Sequence, residues 1–267
     1  MERHDDVPDV NNTRVYHDRG VAARYRGKSL LTRSEARLLL KYHDAWAGKD
    51  VLDIGVGTGR TSAYLAPLCR SYLGIDYSPV MLRAIQRGMP SISVALMDMR
   101  HMDGVPDASI DCVFASDNVF DAVDHAGRLA TLAECHRVLR SGGLLLFSGH
   151  NLDWPRAGYA PFLEWRWNPV SQLHQCVLWF RRWRNHHRLR AYCGRQGDHA
   201  IYCDLGHDFS LLHYYIGKAA QQAQLHAAGF ELIDSEGEAG SSLDAPFSHQ
   251  EPPWRLYVAR KRPAAGS

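Results

Sequence analysis

The sequence predicts an α/β fold built on a doubly wound, mostly parallel β-sheet. Short β-type runs alternate with helical segments between residues 49 and 150, as in sheets covered by helices on both faces. Runs such as GLLLF are apolar throughout, which is typical of strands buried on both sides. The first run, VLDIGVGTGR at residues 51–60, ends in a glycine-rich turn of the kind that cradles cofactors.

Local signals place the elements in chain order. A helix is expected over residues 29–46, where Thr32 and Glu35 form a capping box ahead of an apolar run. Pro67 should end or kink the helix TSAYLAPLCR. The helix SPVMLRAIQRG has Ser78 as its N-cap and Gly88 at its end. Strands are expected in KDVLDIG, SYLGID, SISVALMD, SIDCVFAS, GGLLLFSGH, FELIDSEG and PWRLYVARK, and further helices in RLATLAECHRVL and YIGKAAQQAQLHAAG.

The regular alternation breaks after Asn151, where tryptophan, proline and arginine become frequent. This change of composition predicts a cap inserted beside the carboxyl ends of the strands, where ligands bind in such sheets. The predicted organisation is an N-terminal lid and helix (1–48), a cofactor-binding α/β core (49–151), an inserted substrate cap (152–206), a core completion of one helix and an antiparallel strand pair (207–262), and a disordered tail (263–267).

Composition excludes several classes of protein. A net charge of +2 over 267 residues does not require nucleic acid or an anionic membrane as a partner. There is no run of about 18 apolar residues and no apolar segment near the N-terminus, so we expect a soluble, cytoplasmic protein with no membrane partner. The six cysteines are widely spaced, which favours reduced thiols over a disulfide framework.

A histidine- and cysteine-rich stretch raises the question of a metal site. Its zinc-capable residues are His186, His187, Cys193, His199, Cys203 and His207. No pair among them has the tight spacing of a structural zinc site, so no metal is predicted.

The glycine turn discriminates between two kinds of cofactor. A dinucleotide site requires G-x-G-x-x-G, but here Gly55, Gly57 and Gly59 alternate and Arg60 stands where the last glycine would be. Asp53, two residues before the first glycine, would repel a pyrophosphate. Its carboxylate suits a ligand that carries an ammonium group and no phosphate, such as S-adenosylmethionine.

At these residues the sequence resembles the class I S-adenosylmethionine-dependent methyltransferases. VLDIGVGTG, GIDYSPVML, MDMRHM, SIDCVFASDN and HRVLRSGGLLLFSGHN are similar to successive motifs of that family, in the family's order. The resemblance covers roughly residues 49–150 and resumes at 208–260. It implies a Rossmann-like, seven-stranded sheet whose last strand, 254–260, runs antiparallel, and it implies S-adenosylmethionine as cofactor and S-adenosylhomocysteine as product.

The resemblance also implies roles for single residues. Asp53 and the turn of Gly55, Gly57 and Gly59 should hold the methionine moiety, and Asp76 should bind both ribose hydroxyls because one carboxylate offers two acceptor oxygens. The remaining predicted cofactor-binding residues are Tyr77 and Met81 beside the adenine, Asp98 and the Met99 backbone at its edge, the run from Ser116 to Asn118 on the floor near the sulfonium, and Tyr16 or Tyr25 in the lid.

The acceptor is less well defined by the sequence. Methyl transfer requires alignment of the acceptor, and a hydroxyl acceptor also benefits from a base. His150 is the first candidate because it follows the fifth strand directly, and His207 and His213 come next. The predicted reaction is transfer to an oxygen or nitrogen of a small metabolite, as in natural-product methylation.

Other functions stay open at this point. SDNVF after the fourth strand is unlike the sequence that base-methylating enzymes use, which disfavours nucleic acid as a partner. An RNA methyltransferase would need a contiguous basic groove across the cap, and a non-catalytic cofactor-binding protein would lack a second cavity beside the methyl group. A nicotinamide oxidoreductase is a more distant alternative, and a homodimer stays open. The arginines of the cap are expected mostly on the solvent side of an amphipathic helix.

Overall fold

A computed structural model describes residues 7–25, 30–238 and 252–263, so the end of the predicted tail (264–267) and the first residue of the helix predicted over 29–46 lie outside the described residues. The described chain contains ten strands in one sheet. They are β1 (Asp50–Ile54), β2 (Ser71–Asp76), β3 (Val94–Leu96), β4 (Ile110–Ala115), β5 (Leu139–Asn151), β6 (Gly194–Gln196), β7 (His199–Tyr202), β8 (His213–Ile216), β9 (Phe230–Glu238) and β10 (Trp254–Lys261).

Seven of these strands form the predicted sheet. Strands β3, β2, β1, β4 and β5 are parallel neighbours in that order. Strand β10 then runs antiparallel to β5, and β9 pairs antiparallel with β10. The predicted mostly parallel sheet with an antiparallel last strand is therefore confirmed.

The helices cover both faces of this sheet. They are α1 (Val7–Tyr16), α2 (Arg19–Tyr25), α3 (Arg33–Lys41), α4 (His43–Trp46), α5 (Ser62–Leu65), α6 (Pro79–Gly88), α7 (His125–Val138), α8 (Pro169–Leu189) and α9 (Lys218–Ala227). Val51 and Leu52 are adjacent in β1 but belong to different hydrophobic clusters, because successive side chains of a strand point to opposite faces. The sheet thus has a packed layer on each side.

Local signals behave as expected at several helix ends. The capping box of Thr32 and Glu35 is present at the start of α3, and the Ser78 side chain caps α6. Helix α5 passes into a 3₁₀ turn over residues 66–68 that contains Pro67, because proline cannot continue the helical hydrogen bonds.

The helix predicted from Tyr215 onward was wrong at its start. Residues His213–Ile216 form strand β8, and the helix begins only at Lys218. Tyr214, Tyr215 and Ile216 are all buried, and β-branched and aromatic side chains pack well on a sheet.

Three further strands extend the sheet beyond the predicted seven. Strand β5 is 13 residues long, and at its carboxyl end His150 and Asn151 pair with Tyr215 and Ile216 of β8. Strand β7 pairs with β8, and β6 with β7. The segment predicted as a cap therefore adds two strands to the central sheet, and its long helix α8 lies beside them. Within the described part of the chain, no helix has the length and apolar character needed to span a bilayer.

Candidate functional site

Two adjoining spaces open at the carboxyl ends of the parallel strands. The first, here called the glycine-turn cleft, is lined by Thr13, Tyr16, Tyr25, Ile54, Gly55, Gly57, Ile75, Asp76, Tyr77, Met81, Met97, Asp98, Met99, Arg100, Asp117, Val119, Ala122 and Val123. The second, here called the histidine cavity, is lined by Tyr16, Tyr25, Asp117, Asn118, His150, Trp154, Tyr159, Asp204, Leu205, Gly206, His207, His213, Tyr215, Pro253 and Trp254. Tyr16, Tyr25 and Asp117 belong to both linings, so the two spaces are neighbours.

The glycine turn has a backbone shape that side chains would disturb. Gly55, Gly57 and Gly59 have positive φ angles of 68°, 54° and 92°. A Cβ on Gly55 would lie 2.5 Å from Val119, and one on Gly59 would lie 2.1 Å from Met89. A Cβ on Gly57 would meet only the Gly55 carbonyl oxygen, at 4.0 Å. Gly55 and Gly57 line the cleft, whereas Gly59 packs against the neighbouring helix.

Asp76 joins the glycine turn to the next strand. One carboxylate oxygen accepts a hydrogen bond from the Gly57 amide at 2.9 Å, and the other accepts one from the Ser78 amide at 2.8 Å. The side chain is buried at the end of β2 and lines the cleft. Burial raises the pKa of Asp76, and the two amide donors partly offset that effect. Each oxygen keeps a second lone pair for a ligand hydroxyl.

Asp53 lies beneath the turn and is fully buried. Its Oδ2 accepts hydrogen bonds from Tyr72 at 2.7 Å and Thr61 at 2.8 Å, while Oδ1 has no hydrogen-bond partner among the described residues. Burial raises the pKa of Asp53 to about 6, against the hydrogen bonds that lower it. Asp53 is absent from the lining of the cleft, so its predicted contact with the methionine moiety stays a prediction.

The predicted adenine side of the cleft contains the expected side chains. Tyr77, Met81, Asp98 and Met99 all line it. Asp98 accepts hydrogen bonds from Arg100, at 2.6 Å between Nη2 and Oδ2. Burial raises the pKa of Asp98, but the hydrogen bonds from Arg100 outweigh this and lower it overall. The carboxylate is therefore ionised at neutral pH and able to accept from a ligand amino group.

Ser116 and Asn118 occupy different places from each other. Ser116 lines neither space; its hydroxyl donates to Glu35 at 2.5 Å and accepts from Arg60 at 2.6 Å. Asn118 lines the histidine cavity, and its amide oxygen has no hydrogen-bond partner among the described residues. Between them, Asp117 lines both spaces. Of the run from Ser116 to Asn118, Asp117 and Asn118 therefore line the described spaces, and its place near the sulfonium stays a prediction.

Arg60, which breaks the dinucleotide pattern, has a structural partner. Its guanidinium bonds Glu35 of α3 at 2.5 and 2.8 Å. Burial raises the pKa of Glu35, and the Arg60 hydrogen bonds outweigh this and lower it. The pair ties α3 to the glycine turn and to the end of β4.

The lid tyrosines lie between the two spaces. The Tyr25 hydroxyl is 3.1 Å from Nε2 of His207, and the two rings stack with centroids 5.6 Å apart. The Tyr16 carbonyl accepts from the Ser78 hydroxyl at 3.0 Å. Burial raises the pKa of both tyrosines, so their hydroxyls stay protonated at neutral pH and neither is a base.

All three predicted catalytic histidines line the histidine cavity. His150 is the most constrained of them. Its Nδ1 lies 2.8 Å from Oδ2 of Asp121, which also accepts from the His150 backbone amide at 2.6 Å. Asp121 is itself paired with Arg128, and both side chains are fully buried. With a hydrogen on Nδ1 donated to Asp121, the neutral ring presents the lone pair of Nε2.

His213 and Asp204 form a second buried pair. His213 Nδ1 is 2.9 Å from Oδ2 of Asp204, which also accepts from the Tyr215 hydroxyl at 2.7 Å. Burial lowers the pKa of His213, but the Asp204 carboxylate outweighs this and raises it overall. The same oxygen lies 3.5 Å from Nε2 of His150.

His150, Asp204 and His213 are close enough together to be considered as metal ligands. The two imidazole rings, however, are stacked at an interplanar angle of 18° with centroids 4.7 Å apart. Lone pairs in nearly parallel ring planes do not converge on one ion, so this arrangement favours hydrogen bonding over ligation. Of the zinc-capable residues in the cap, Cys203 approaches Cys193 at 3.5 Å and His186 at 3.3 Å, while His207 belongs to the cavity. That no metal binds stays a prediction.

Sequence reasoning missed several residues of these linings. Thr13 in the cleft and Asp204 in the cavity carried no motif signal, and Arg100, although it belongs to the MDMRHM motif, was given no role. Asp204 could have been suspected only by knowing that β8 pairs with both β5 and β7. The aromatic residues of the cavity come from two separated places in the chain and meet only in the fold: Trp154 and Tyr159 follow β5, and Trp254 begins β10.

Comparisons with known proteins agree with this geometry. A family model described as a methyltransferase domain matches residues 51–143. A probable S-adenosylmethionine-dependent methyltransferase of Mycolicibacterium smegmatis is 31% identical over 124 residues, which are 46% of this chain and 45% of that protein. A malonyl-[acyl-carrier protein] O-methyltransferase of Serratia marcescens is 32% identical over 127 residues, 48% of each chain. The chain thus covers about half the length of these curated relatives.

Solved structures share the fold. An S-adenosylmethionine-dependent methyltransferase from Mesorhizobium loti gives a TM-score of 0.59 at 17% identity, covering 85% of this chain and 97% of that one. The 1,6-didemethyltoxoflavin-N1-methyltransferase of Burkholderia thailandensis, solved with 1,6-didemethyltoxoflavin and S-adenosylhomocysteine, gives 0.54 at 17% identity and covers 86% of this chain and 78% of that one.

Proposed function

The chain belongs to the class I S-adenosylmethionine-dependent methyltransferase family, and from that premise we propose that it transfers a methyl group to an oxygen or nitrogen of a small molecule. S-adenosylmethionine is the cofactor, and it supplies an electrophilic methyl group beside a positively charged sulfur. The acceptor binds in the histidine cavity.

The shared wall between the two spaces carries this proposal. Tyr16, Tyr25 and Asp117 line both the glycine-turn cleft and the histidine cavity. An acceptor in the cavity would therefore meet the cofactor across a boundary of only three side chains. A protein that merely bound the cofactor would have no use for a second cavity at this boundary.

The cleft suits the cofactor in its charges and in its open backbone. The remaining lone pairs of the Asp76 carboxylate would accept hydrogen bonds from ribose hydroxyls. The absence of a side chain on Gly57 allows close approach of a ligand. Asp53 Oδ1, buried without a described partner, fits an ammonium group. Asp98 would accept from the adenine amino group and Tyr77 would contact the ring.

His150 is the proposed general base. Asp121 fixes the ring so that Nε2 accepts the acceptor's proton, as in other histidine–aspartate pairs. The imidazolium that forms would lie between two carboxylates, Asp121 at Nδ1 and Asp204 at 3.5 Å from Nε2. Asp204 raises the pKa of His213, so this ring already carries its proton over a wider pH range. His213 is therefore the weaker candidate for accepting a proton from the substrate.

The walls of the cavity indicate a planar acceptor. Trp154, Tyr159, Tyr215 and Trp254 offer aromatic surface, and apolar walls with a few convergent polar groups are typical of small-molecule sites. The substrate in the Burkholderia structure, 1,6-didemethyltoxoflavin, is a small molecule, which supports the same class here.

A turnover assay with a panel of hydroxylated and nitrogen-containing aromatic compounds tests the proposal, with S-adenosylhomocysteine measured by mass spectrometry. With an active acceptor, His150→Gln should lower kcat about 10²- to 10⁴-fold, the usual contribution of a positioned base. Cofactor affinity measured by calorimetry should stay unchanged, because His150 does not line the glycine-turn cleft.

His43→Gln is the matched control, because His43 is half exposed on α4 and lines neither space. It should leave both kcat and cofactor affinity unchanged. If His150→Gln kept the wild-type kcat, His150 would not be the general base. Failure of the wild-type protein to bind S-adenosylmethionine, with or without acceptor, would contradict the function itself.

A further inference from the structure

Helix α8 carries an apolar face that the rest of the described chain leaves in water. Val170, Leu173, Val177 and Phe180 recur at intervals of three and four residues, so they lie on one side of the helix. Each is more than half exposed. Trp165 and Trp167, just before the helix, are also exposed, Trp167 at 93%. These six residues are called the apolar cap face, and exposed apolar surface of this kind marks an interaction site.

The same helix is strongly basic. Its 21 residues include four arginines and neither aspartate nor glutamate. Arg184 and Arg188 are exposed near its C-terminal end, whereas Arg181 and Arg182 pair with Asp208. Helix α8 is therefore apolar on its exposed side in its first half and basic in its second, over a length of about 31 Å at 1.5 Å per residue.

We propose that the apolar cap face and the arginines of α8 bind an anionic lipid surface, with the helix lying in the plane of the membrane interface. Exposed aliphatic and aromatic side chains together with arginines and no acidic residue are the features of interfacial helices. The expectation of no membrane partner rested on net charge and on the lack of a spanning segment. Neither observation excludes a helix that lies on the membrane surface, because a charge of +2 over the whole chain is compatible with a basic patch.

A second copy of the chain fits this face less well. In a two-fold dimer with antiparallel helices, the arginines of one copy would lie over the apolar half of the other. With parallel helices, arginines would face arginines, and α8 has no acidic residue to neutralise them. A lipid surface accepts both halves at once, since acyl chains take the apolar side chains and phosphate groups take the arginines. RNA would pair with the arginines but leave Val170, Leu173 and Val177 without a partner.

The position of α8 relative to the cavity gives this binding a consequence. Arg181 and Arg182 bond Asp208, and Asn185 donates to the Asp208 carbonyl oxygen at 2.9 Å. Asp208 follows Leu205, Gly206 and His207, which line the histidine cavity. A membrane-bound α8 therefore holds one wall of that cavity close to the lipid. The proposal itself rests on the exposed face and does not require the proposed methyl transfer.

Flotation with vesicles tests it directly. The 267-residue protein is mixed with vesicles of phosphatidylcholine containing 30 mol% phosphatidylglycerol, or of phosphatidylcholine alone, in 0.1 M NaCl. We expect flotation with the anionic vesicles, a blue shift of tryptophan emission, and release at 0.5 M NaCl. Arg184→Gln with Arg188→Gln should weaken partitioning about 30-fold, from about 1 kcal/mol for each arginine near an anionic surface.

A second variant tests the apolar half. Leu173→Ser with Phe180→Ser should weaken partitioning at least tenfold, because both side chains lose the apolar area that would enter the lipid. Leu40→Ser is the matched control: Leu40 is 75% exposed on α3, outside the apolar cap face, and its loss should change nothing. Thermal melting checks that all variants stay folded, as expected for exposed positions.

Four results would overturn the proposal. They are no flotation of the wild-type protein, equal binding to neutral and anionic vesicles, unchanged binding of both α8 double variants, and self-association or binding of single-stranded RNA without vesicle binding. None of these outcomes depends on turnover, so they are distinguishable from a failure of the proposed methyltransferase activity.

Discussion

The pH dependence of cofactor binding is a sharp test of the role of Asp53. Its carboxyl is fully buried, burial raises its pKa to about 6, and Oδ1 has no described hydrogen-bond partner. If the ammonium group of S-adenosylmethionine binds there, the bound state requires the ionised carboxylate. Binding should then release a proton from Asp53 below pH 6, and affinity should rise with pH in that range.

The size of the effect follows from the pKa. At pH 5.0 about one Asp53 carboxyl in eleven is ionised in the free protein, and at pH 7.0 about ten in eleven are. If the ammonium returns the bound carboxyl to near its ordinary pKa of 3.8, it is almost fully ionised at both pH values. The dissociation constant should therefore be about tenfold larger at pH 5.0 than at pH 7.0. The cofactor's own amino group stays charged over this range, since α-amino pKa values lie near 8.

Isothermal titration calorimetry of the wild-type protein and Asp53→Asn at both pH values measures this ratio. Asparagine is nearly isosteric with aspartate and does not ionise. Asp53→Asn should therefore bind S-adenosylmethionine more weakly than the wild type at pH 7.0, and the ratio of its dissociation constants at pH 5.0 and pH 7.0 should be close to one. The same ratio in both proteins, or wild-type affinity of Asp53→Asn at pH 7.0, would refute the contact. Asp53 would then be structural, and Asp53→Asn should raise the melting temperature at pH 7.0 because it removes a buried charge with one unpaired oxygen.

Three further results are expected from the same structure. Asp76→Asn should weaken S-adenosylmethionine about a hundredfold or more in calorimetry, since hydrogen bonds to charged groups contribute about 1.5–3 kcal/mol each. Asp121→Asn should lower the melting temperature by about 10 °C, because it leaves Arg128 charged and buried without its partner. The raised pKa of His213 means that its pairing with Asp204 stabilises the fold fully below about pH 6.5 and that this contribution is lost as pH rises through the raised value; urea unfolding between pH 6 and 9 should therefore show a steeper loss in the wild type than in His213→Gln.

The side chains that line the proposed cofactor cleft could be grouped from the sequence because their motifs are local. The glycine turn follows β1 within a few residues, and Asp76 closes β2 just before the Ser78 cap. Each motif predicts the local backbone structure of the residues that form it. The exception is Ser116, which was expected near the sulfonium but bonds Arg60 and Glu35 instead. Glu35 lies 81 residues earlier, and no local pattern announces that contact.

The histidine cavity, the proposed acceptor site, depends on long-range contacts that no local sequence pattern predicts. His150 was identified because it ends β5, but its partner Asp121 follows β4, and the Asp204 carboxylate near its Nε2 precedes β8. The pairing of β8 with the last two residues of β5 brings Asp204 to His150. The last two residues of β8, Tyr215 and Ile216, were predicted as the start of a helix, so the contact between Asp204 and His150 could not be foreseen.

The length of β5 explains why the proposed base His150 lies next to the additional strand β8. Strands β4 and β10 flank most of β5, but β4 ends at Ala115 opposite Phe147, and β8 pairs only with His150 and Asn151 beyond it. On the other side of β5 from β8, His150 is paired with Trp254 of β10. The proposed base is therefore held between an extra strand and a strand of the predicted seven. A change in the inserted segment that moves β8 would move Asp204 and Tyr215 against His150, while the glycine turn and Asp76, which belong to β1 and β2, would keep their places. Under the proposed roles, a change in the inserted segment would therefore alter the acceptor site of this chain with little effect on the cofactor cleft.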